Sequence, residues 1–200
     1  MCVIIVKPTG KLIPSEVIKR AWQQNPDGMG FAVWNRKWEI RKGFMRLRDA
    51  IRALQPHNKK STKLIVHFRA ATHGGRIPSL THPFTVEFAE GRGWLFHNGV
   101  FNIHAVEENE SDTSAFAKVI SKMKPSFEGF CEFLKTEIAI NTINTSRIAV
   151  ILENSPEIFI VGKWHQEKGL YLSSGIYTLM TAEYYAYLDY YYPRNSNLLK

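Results

Sequence analysis

Four short stretches carry side chains whose chemistry could converge on one small polar substrate. The first is the chain start, MCVIIV, with Cys2 directly behind Met1. Cysteine is small enough for Met1 to be removed, which would leave Cys2 with a free α-amine. The thiolate is the working nucleophile, and a free thiol titrates at about 8.5. An α-amine, at about 7.7–8.0, can accept that proton near neutral pH, whereas a lysine at about 10.4 cannot. One residue would then supply both nucleophile and base, with no histidine partner. The structural alternative makes Cys2 simply the first buried residue of a strand.

The second stretch, HFRAATHGG, runs from His67 to Gly75. Arg69 closes an apolar run, where its fork could hold a carboxylate in a bidentate pair. Thr72, His73 and the glycines add a hydroxyl, an imidazole and accessible backbone amides. An exposed arginine beside a turn would account for the same residues. In the third stretch, FHNGVF (Phe96–Phe101), the Asn98 side-chain amide and the Gly99 backbone N–H could be paired donors to a developing oxyanion. Losing one such donor typically costs about 10²–10³ in rate. Asn-Gly is equally a strong hairpin-turn signal, and both readings can hold together. The fourth, SDTSAF (Ser111–Phe116), reads as a helix start, with Asp112 at the positive end of the dipole. A carboxylate there could also bind a substrate ammonium.

These groups need a frame. Cys2–Val6 reads as a buried strand, and Ser15 as the cap of a helix to about Gln24 that the NPDG turn stops. Gly30–Trp34 and Trp38–Gly43 flank Asn35-Arg36-Lys37 as a hairpin, and Leu47–Leu54 is helical. Leu64–Arg69 is a strand, residues 71–83 a loop, and Phe84–Phe88 and Gly93–His97 further strands. Ser111 caps a helix to about Met123, and a second helix follows Pro125 to about Ile138. Arg147–Leu152 and Ile158–Val161 are strands, Leu170–Tyr177 a strand pair, and Ala182–Tyr191 an aromatic-rich helix. Two helices between two blocks of largely antiparallel strand indicate a mixed α+β architecture.

Composition narrows the setting. Two hundred residues with 44% hydrophobic and 22% charged content fit one sizeable globular domain, residues 1–200, with no linker or repeat to divide it. Cys2 and Cys131 are too few for a secreted disulfide framework, and no long apolar run could span a bilayer. A reducing cytoplasm is the expected home, with no membrane partner. The net charge of +8 is concentrated: residues 1–63 hold 14 Lys or Arg against 4 Asp or Glu. Such a region could attract nucleic acid, a phosphorylated substrate or an acidic partner, or could be a solvated face. No nucleic-acid-binding signature accompanies it, so nucleic acid is not an expected partner.

In combination, the N-terminal cysteine, R-x-x-T-H-G from Arg69, H-N-G from His97 and S-D-T from Ser111 resemble the class II glutamine amidotransferases. NPDGMGFAVW (Asn25–Trp34) and THPF (Thr81–Phe84) are similar to further family pieces, and the motifs span residues 2 to 116. The resemblance implies an N-terminal-nucleophile (Ntn) hydrolase-like four-layer αββα sandwich: two largely antiparallel sheets with helices outside. It implies that Cys2 attacks the side-chain amide of glutamine, giving a γ-glutamyl thioester and ammonia, and that water then releases glutamate. Asn98 and Gly99 would hold the oxyanion, Arg69 the substrate α-carboxylate and Asp112 its α-ammonium, with Thr72 and His73 completing the pocket. No cofactor or metal is implied. The pattern departs at Ala70, where several members carry Trp, and at Gln24, where some place Arg; neither removes a core catalytic group. No ammonia-consuming domain is recognised, so a separate synthetase subunit would be the acceptor.

Three other functions compete. One is hydrolysis of another γ-glutamyl or small amide compound. A second is metal-dependent hydrolysis by His67, His73, His82, His97 and His104, whose spacing matches no compact ligand motif. The third is a non-catalytic module binding through the basic third of the chain, whose affinity would fall steeply with salt.

Overall fold

The computed structural model describes residues 2–71, 75–101, 109–141 and 146–175, with the backbone alone for 137–141. Ten strands and four helices are described: β1 Val3–Lys7, α1 Ser15–Gln24, β2 Met29–Asn35, β3 Lys37–Phe44, α2 Leu47–Leu54, β4 Leu64–Phe68, β5 Phe84–Phe88, β6 Gly91–Asn98, α3 Asp112–Met123, α4 Phe127–Asn141, β7 Arg147–Leu152, β8 Phe159–Val161, β9 His165–Glu167 and β10 Leu170–Leu172. They form two antiparallel sheets, a six-stranded one ordered β3-β2-β4-β1-β10-β9 and a four-stranded one ordered β5-β6-β7-β8.

Side-chain alternation explains the layering. A strand sends successive residues to opposite faces, so a strand covered on both sides reads as a continuous apolar run. In β1, Val3 and Ile5 pack with Val17, Ile18, Ala21 and Trp22 of α1 and with Ala50 and Leu54 of α2. Ile4 and Val6 face the other way, joining Ala32 and Ile65 against Trp94, Phe96, Ala149 and Ile151 of the second sheet. The second sheet's far face, Val86, Leu95, Ile148 and Val150, meets Phe116, Ile120, Phe130 and Leu134 of α3 and α4. Three apolar layers separate four layers of structure, the αββα sandwich expected. Each fully buried aliphatic or aromatic side chain contributes about 1.5–3 kcal/mol, and the middle layer is what holds the two sheets face to face.

Several local expectations are corrected. Ser15 does not cap α1: Pro14 holds the cap position, and the Ser15 hydroxyl donates to Glu16 Oε1 at 2.9 Å. Proline's fixed φ fits the residue leading into the helix, and no side chain caps the first turn. A late strand pair is β9–β10, turned at Lys168-Gly169 with φ of 49° and 80°; of the pair expected within 170–177, Leu170–Leu172 is a strand, and residues 176 and 177 lie outside the described residues. Three-residue strands are too short for alternation to reveal. Asn98-Gly99 is not a hairpin turn: Asn98 ends β6 opposite Arg147, 49 positions away, and Gly99 leaves the sheet. The expected helix 182–191 lies outside the described residues.

The basic third is not uniformly a solvated face. Arg36, Lys37, Arg41, Arg46, Arg48, Arg52, Lys59 and Lys60 are exposed on the β2–β3 turn, β3, α2 and the loop that follows. Lys7, however, is fully buried, its ammonium donating to the carbonyls of Lys59 (2.7 Å), Lys11 (3.2 Å), Pro8 (3.5 Å) and Thr62. It ties the start of the chain to the loop before β4. Lys42 donates to the Pro83 carbonyl at 3.0 Å and lies over the Phe84 ring.

Candidate active site

Strand register puts Cys2 beside Arg69. Val3 pairs with Phe68 in the β1–β4 ladder, so the residue before Val3 meets the residues after Phe68. The Ala70 N–H donates to Cys2 Sγ at 3.3 Å, and the thiol lies 3.4 Å from the Ala70 carbonyl. Cys2 is half-buried and free of any disulfide. Burial pushes its thiol above the ordinary value, opposed by the Ala70 amide and the Arg69 charge. Cys131 is buried too and pushed up to about 12.

The NPDG turn does more than end α1. The β2–β4 ladder continues past Met29 and Phe68 through Arg69 N–H to Gly28 O at 2.8 Å and Asp27 N–H to Arg69 O at 3.0 Å. The buried Asp27 carboxylate receives the Ala71 N–H at 2.8 Å and pairs with Arg76 at 2.8 Å. Arg69, itself buried, donates from Nη1 to the Gly75 carbonyl at 2.7 Å. Asp27 therefore anchors the loop that carries Arg69. Thr72 and His73 lie outside the described residues.

Asn98 reaches the same region from the second sheet. Its Nδ2 lies 2.9 Å from Ser173 Oγ, just beyond β10. Ser173 in turn continues the β10–β1 pairing: Ile4 N–H donates to its Oγ at 2.8 Å, and its own N–H donates to Ile4 O at 3.0 Å. A short chain of hydrogen bonds thus ties Asn98 to the strand that begins at the cysteine. Gly99 has no room for a side chain, since an added Cβ would meet His97 Nε2 at 2.8 Å and Ser146 Cα at 2.9 Å.

Asp112 is fixed to the end of β6 rather than left free. Its Oδ2 accepts the Phe101 N–H at 2.7 Å and its Oδ1 the Thr113 N–H at 2.8 Å. Ser111 caps α3 as expected, accepting the Ser114 N–H at 3.1 Å. His97 braces this corner. It is buried, stacked on Phe101 with ring centroids 3.9 Å apart, and bonded through Nδ1 to Thr113 Oγ1 (3.0 Å) and through Nε2 to Ser146 Oγ (3.1 Å). Burial lowers it to about 4, against the pull of Asp112, so the ring is neutral. The Thr113 hydroxyl faces Asp112 Oδ1 at 3.3 Å, which leaves its oxygen to accept the Nδ1–H. Nε2 then accepts from Ser146.

The described histidines do not gather as metal ligands. His67 Nε2 donates to the His97 carbonyl at 3.1 Å, and the His67 and His82 ring centroids lie 3.9 Å apart with their planes tilted by 42°. Burial lowers His67 to about 3 and His82 well below its usual range. Gly30 makes this possible, because a Cβ there would collide with the His82 carbonyl and meet Lys42 Cβ at 2.8 Å. Among the described residues no three His, Cys, Asp or Glu side chains are placed to hold a metal ion. His73 and His104 lie outside the described residues. Among the described residues, too, no helix is long and apolar enough to cross a membrane.

Sequence motifs single out Cys2, Arg69, Asn98, Gly99 and Asp112 as candidates, while the residues bonded around them escape such patterns. Asp27 and His97 sat inside motifs, with no sign of what they would touch. Ser146 and Ser173 gave no signal, because a lone serine has no local pattern.

No curated protein sequence matches the chain. Among solved structures it is similar to the glutamine phosphoribosylpyrophosphate (PRPP) amidotransferase from B. subtilis complexed with ADP and GMP, with a TM-score of 0.55 at 14% identity. The match covers 86% of this chain and 41% of that one, so the likeness is one of fold and spans less than half of the larger enzyme. The family model for class-II glutamine amidotransferases matches residues 20–153, which takes in the Asp27 turn, the Arg69 loop, Asn98-Gly99 and Asp112. With that match and the four-layer sandwich around those residues, the chain belongs to the class II glutamine amidotransferases.

Proposed function

We propose that residues 1–200 act as a single glutaminase domain in which Cys2, freed of Met1, hydrolyses the side-chain amide of glutamine and delivers ammonia to a separate synthetase subunit. The observation that carries this reading is the seating of Cys2 Sγ against Ala70, beside Arg69, at the end of strand β1. Burial keeps the thiol protonated at neutral pH, so it needs a base within reach. The α-amine of the same residue, at about 7.7–8.0, fits that need.

The thiol sulfur adds to the amide carbon while its proton passes to the amine. Asn98 Nδ2–H and Gly99 N–H stabilise the resulting oxyanion. The C–N bond breaks, the amine returns the proton to the leaving nitrogen, and ammonia departs from a γ-glutamyl thioester. Water then adds to that carbonyl, the C–S bond breaks, and glutamate leaves with the thiol restored. Arg69 binds the α-carboxylate, Asp112 the α-ammonium, and Thr72 and His73 take part in substrate binding. No cofactor enters this sequence. Two free cysteines fit the reducing cytoplasm.

Intact-mass analysis before and after 6-diazo-5-oxonorleucine tests the scheme. Loss of one methionine mass and a single adduct on Cys2 are expected, with glutamine turned over faster than other γ-glutamyl amides. A retained Met1, or turnover that survives Cys2→Ala, overturns it.

A further inference from the structure

Asn98 is buried, and among the described residues its Oδ1 is a buried acceptor without a hydrogen-bond partner, a costly arrangement unless something compensates. Its neighbour Ser173 shows the opposite imbalance. A hydroxyl has two lone pairs and one proton. Both lone pairs of Ser173 Oγ are taken, by Ile4 N–H at 2.8 Å and by Asn98 Nδ2 at 2.9 Å, which leaves the proton to find an acceptor. Turning the Asn98 amide end for end about its Cβ–Cγ bond cures both faults, and gives up only the long 3.5 Å contact of Nδ2 with the Ser173 carbonyl. Ser173 then donates to Oδ1, still accepts from Ile4, and both Nδ2 protons move to where Oδ1 now points.

We propose that Ser173 is a positioning residue: by donating to Asn98 Oδ1 it sets the direction of the Asn98 amide and aims its N–H at the substrate oxygen. The proposal rests on the glutaminase reading above and adds a residue that touches no substrate. The arrangement suits the task, because Ser173 is held on both sides by the backbone of Ile4, two residues from the nucleophile. The direction of the oxyanion donor is thereby referred to the strand that carries the sulfur, and a preorganised donor is what makes such a hole effective.

The test is a double-mutant cycle on glutaminase kcat and KM with Ser173→Ala, Asn98→Ala and the pair, run on the full chain. Ser173→Ala is expected to lower kcat by about 10–100-fold with KM held within about twofold, a part of the about 10²–10³-fold loss expected of Asn98→Ala. In the Asn98→Ala background the same change is expected to cost less than about twofold, because Ser173 acts only through Asn98. Should Ser173→Ala fold poorly, Ser173→Cys takes its place in the cycle, keeping the volume with a much weaker donor. Multiplicative losses across the cycle, or a full kcat in the single variant, overturn the proposal while leaving the glutaminase reading intact. A wild-type chain that neither turns over glutamine nor takes up the diazo-ketone overturns both.

Discussion

Gly99→Ala isolates the geometry of the candidate oxyanion hole. The residue lies at φ 155°, and an added methyl would run into the Ser146 hydroxyl, His97 Nε2 at 2.8 Å and Ser146 Cα at 2.9 Å. The hydroxyl can rotate away, but the Ser146 backbone cannot yield cheaply because Arg147 is already paired with Asn98 in the β6–β7 ladder. Overpacking of this kind costs about 1–3 kcal/mol, and losing the His97–Ser146 hydrogen bond about 1 more. At about 2–4 °C per kcal/mol for a chain of this size, melting should drop by roughly 5–15 °C. A Gly99 N–H displaced from its direction should also remove one oxyanion donor, lowering kcat by about 10²–10³. Gly91→Ala is the control: Gly91 has φ 126°, yet nothing lies within 4 Å of an added Cβ. It carries the backbone strain without the crowding, so a loss of about 1 kcal/mol and an unchanged kcat are expected. Glutamate release and calorimetric melting of the two variants decide the matter. A Gly99→Ala protein with kcat within about threefold of wild type would show that neither the crowding nor the donor role is real.

Three further outcomes follow from the buried polar groups. Iodoacetamide near pH 8 should label Cys2 alone, slowly, and faster as pH rises, because burial raises both thiols and takes Cys131 to about 12; peptide mass mapping that finds Cys131 modified first would contradict this. Stability should fall on acidification below pH 6.5. His67 and His97 are lowered to about 3 and about 4, so between those values and 6.5 the unfolded chain binds protons that the folded chain refuses. That contributes up to about 1.4 kcal/mol per pH unit for each group, complete above pH 6.5 and lost on the way down. Urea midpoints should show it, and His82→Phe, which replaces a buried ring with no hydrogen-bond partner among the described residues, should flatten the slope. Lys7→Met should cost about 1–3 kcal/mol by leaving partly buried carbonyls of residues 8, 11, 59 and 62 without their donor; an unchanged urea midpoint would show that water replaces the ammonium.

Local pattern carried much of this protein. The run VIIV has no polar face, which suits a strand covered on both sides, and it lies between α1–α2 and the second sheet. Leu47–Leu54, Asp112–Met123 and Arg147–Leu152 had bounds that periodicity and capping could set, and Ser111 caps as its type suggests. Cys2, Arg69, Asn98, Gly99 and Asp112 stood out because each sits in a short motif of unusual chemistry. What decided whether they could act together was strand register, which no local window contains. A one-residue slip between β1 and β4 would turn Cys2 to the other face of the sheet, away from Ala70. The same holds for the supports. Asp27 is 44 positions from the amide it receives, Ser146 is 49 from His97, and Ser173 is 75 from Asn98 and 169 from Ile4. Hydrogen bonds across such separations exist only once both sheets have formed and packed, so tertiary structure alone could assign those residues a purpose.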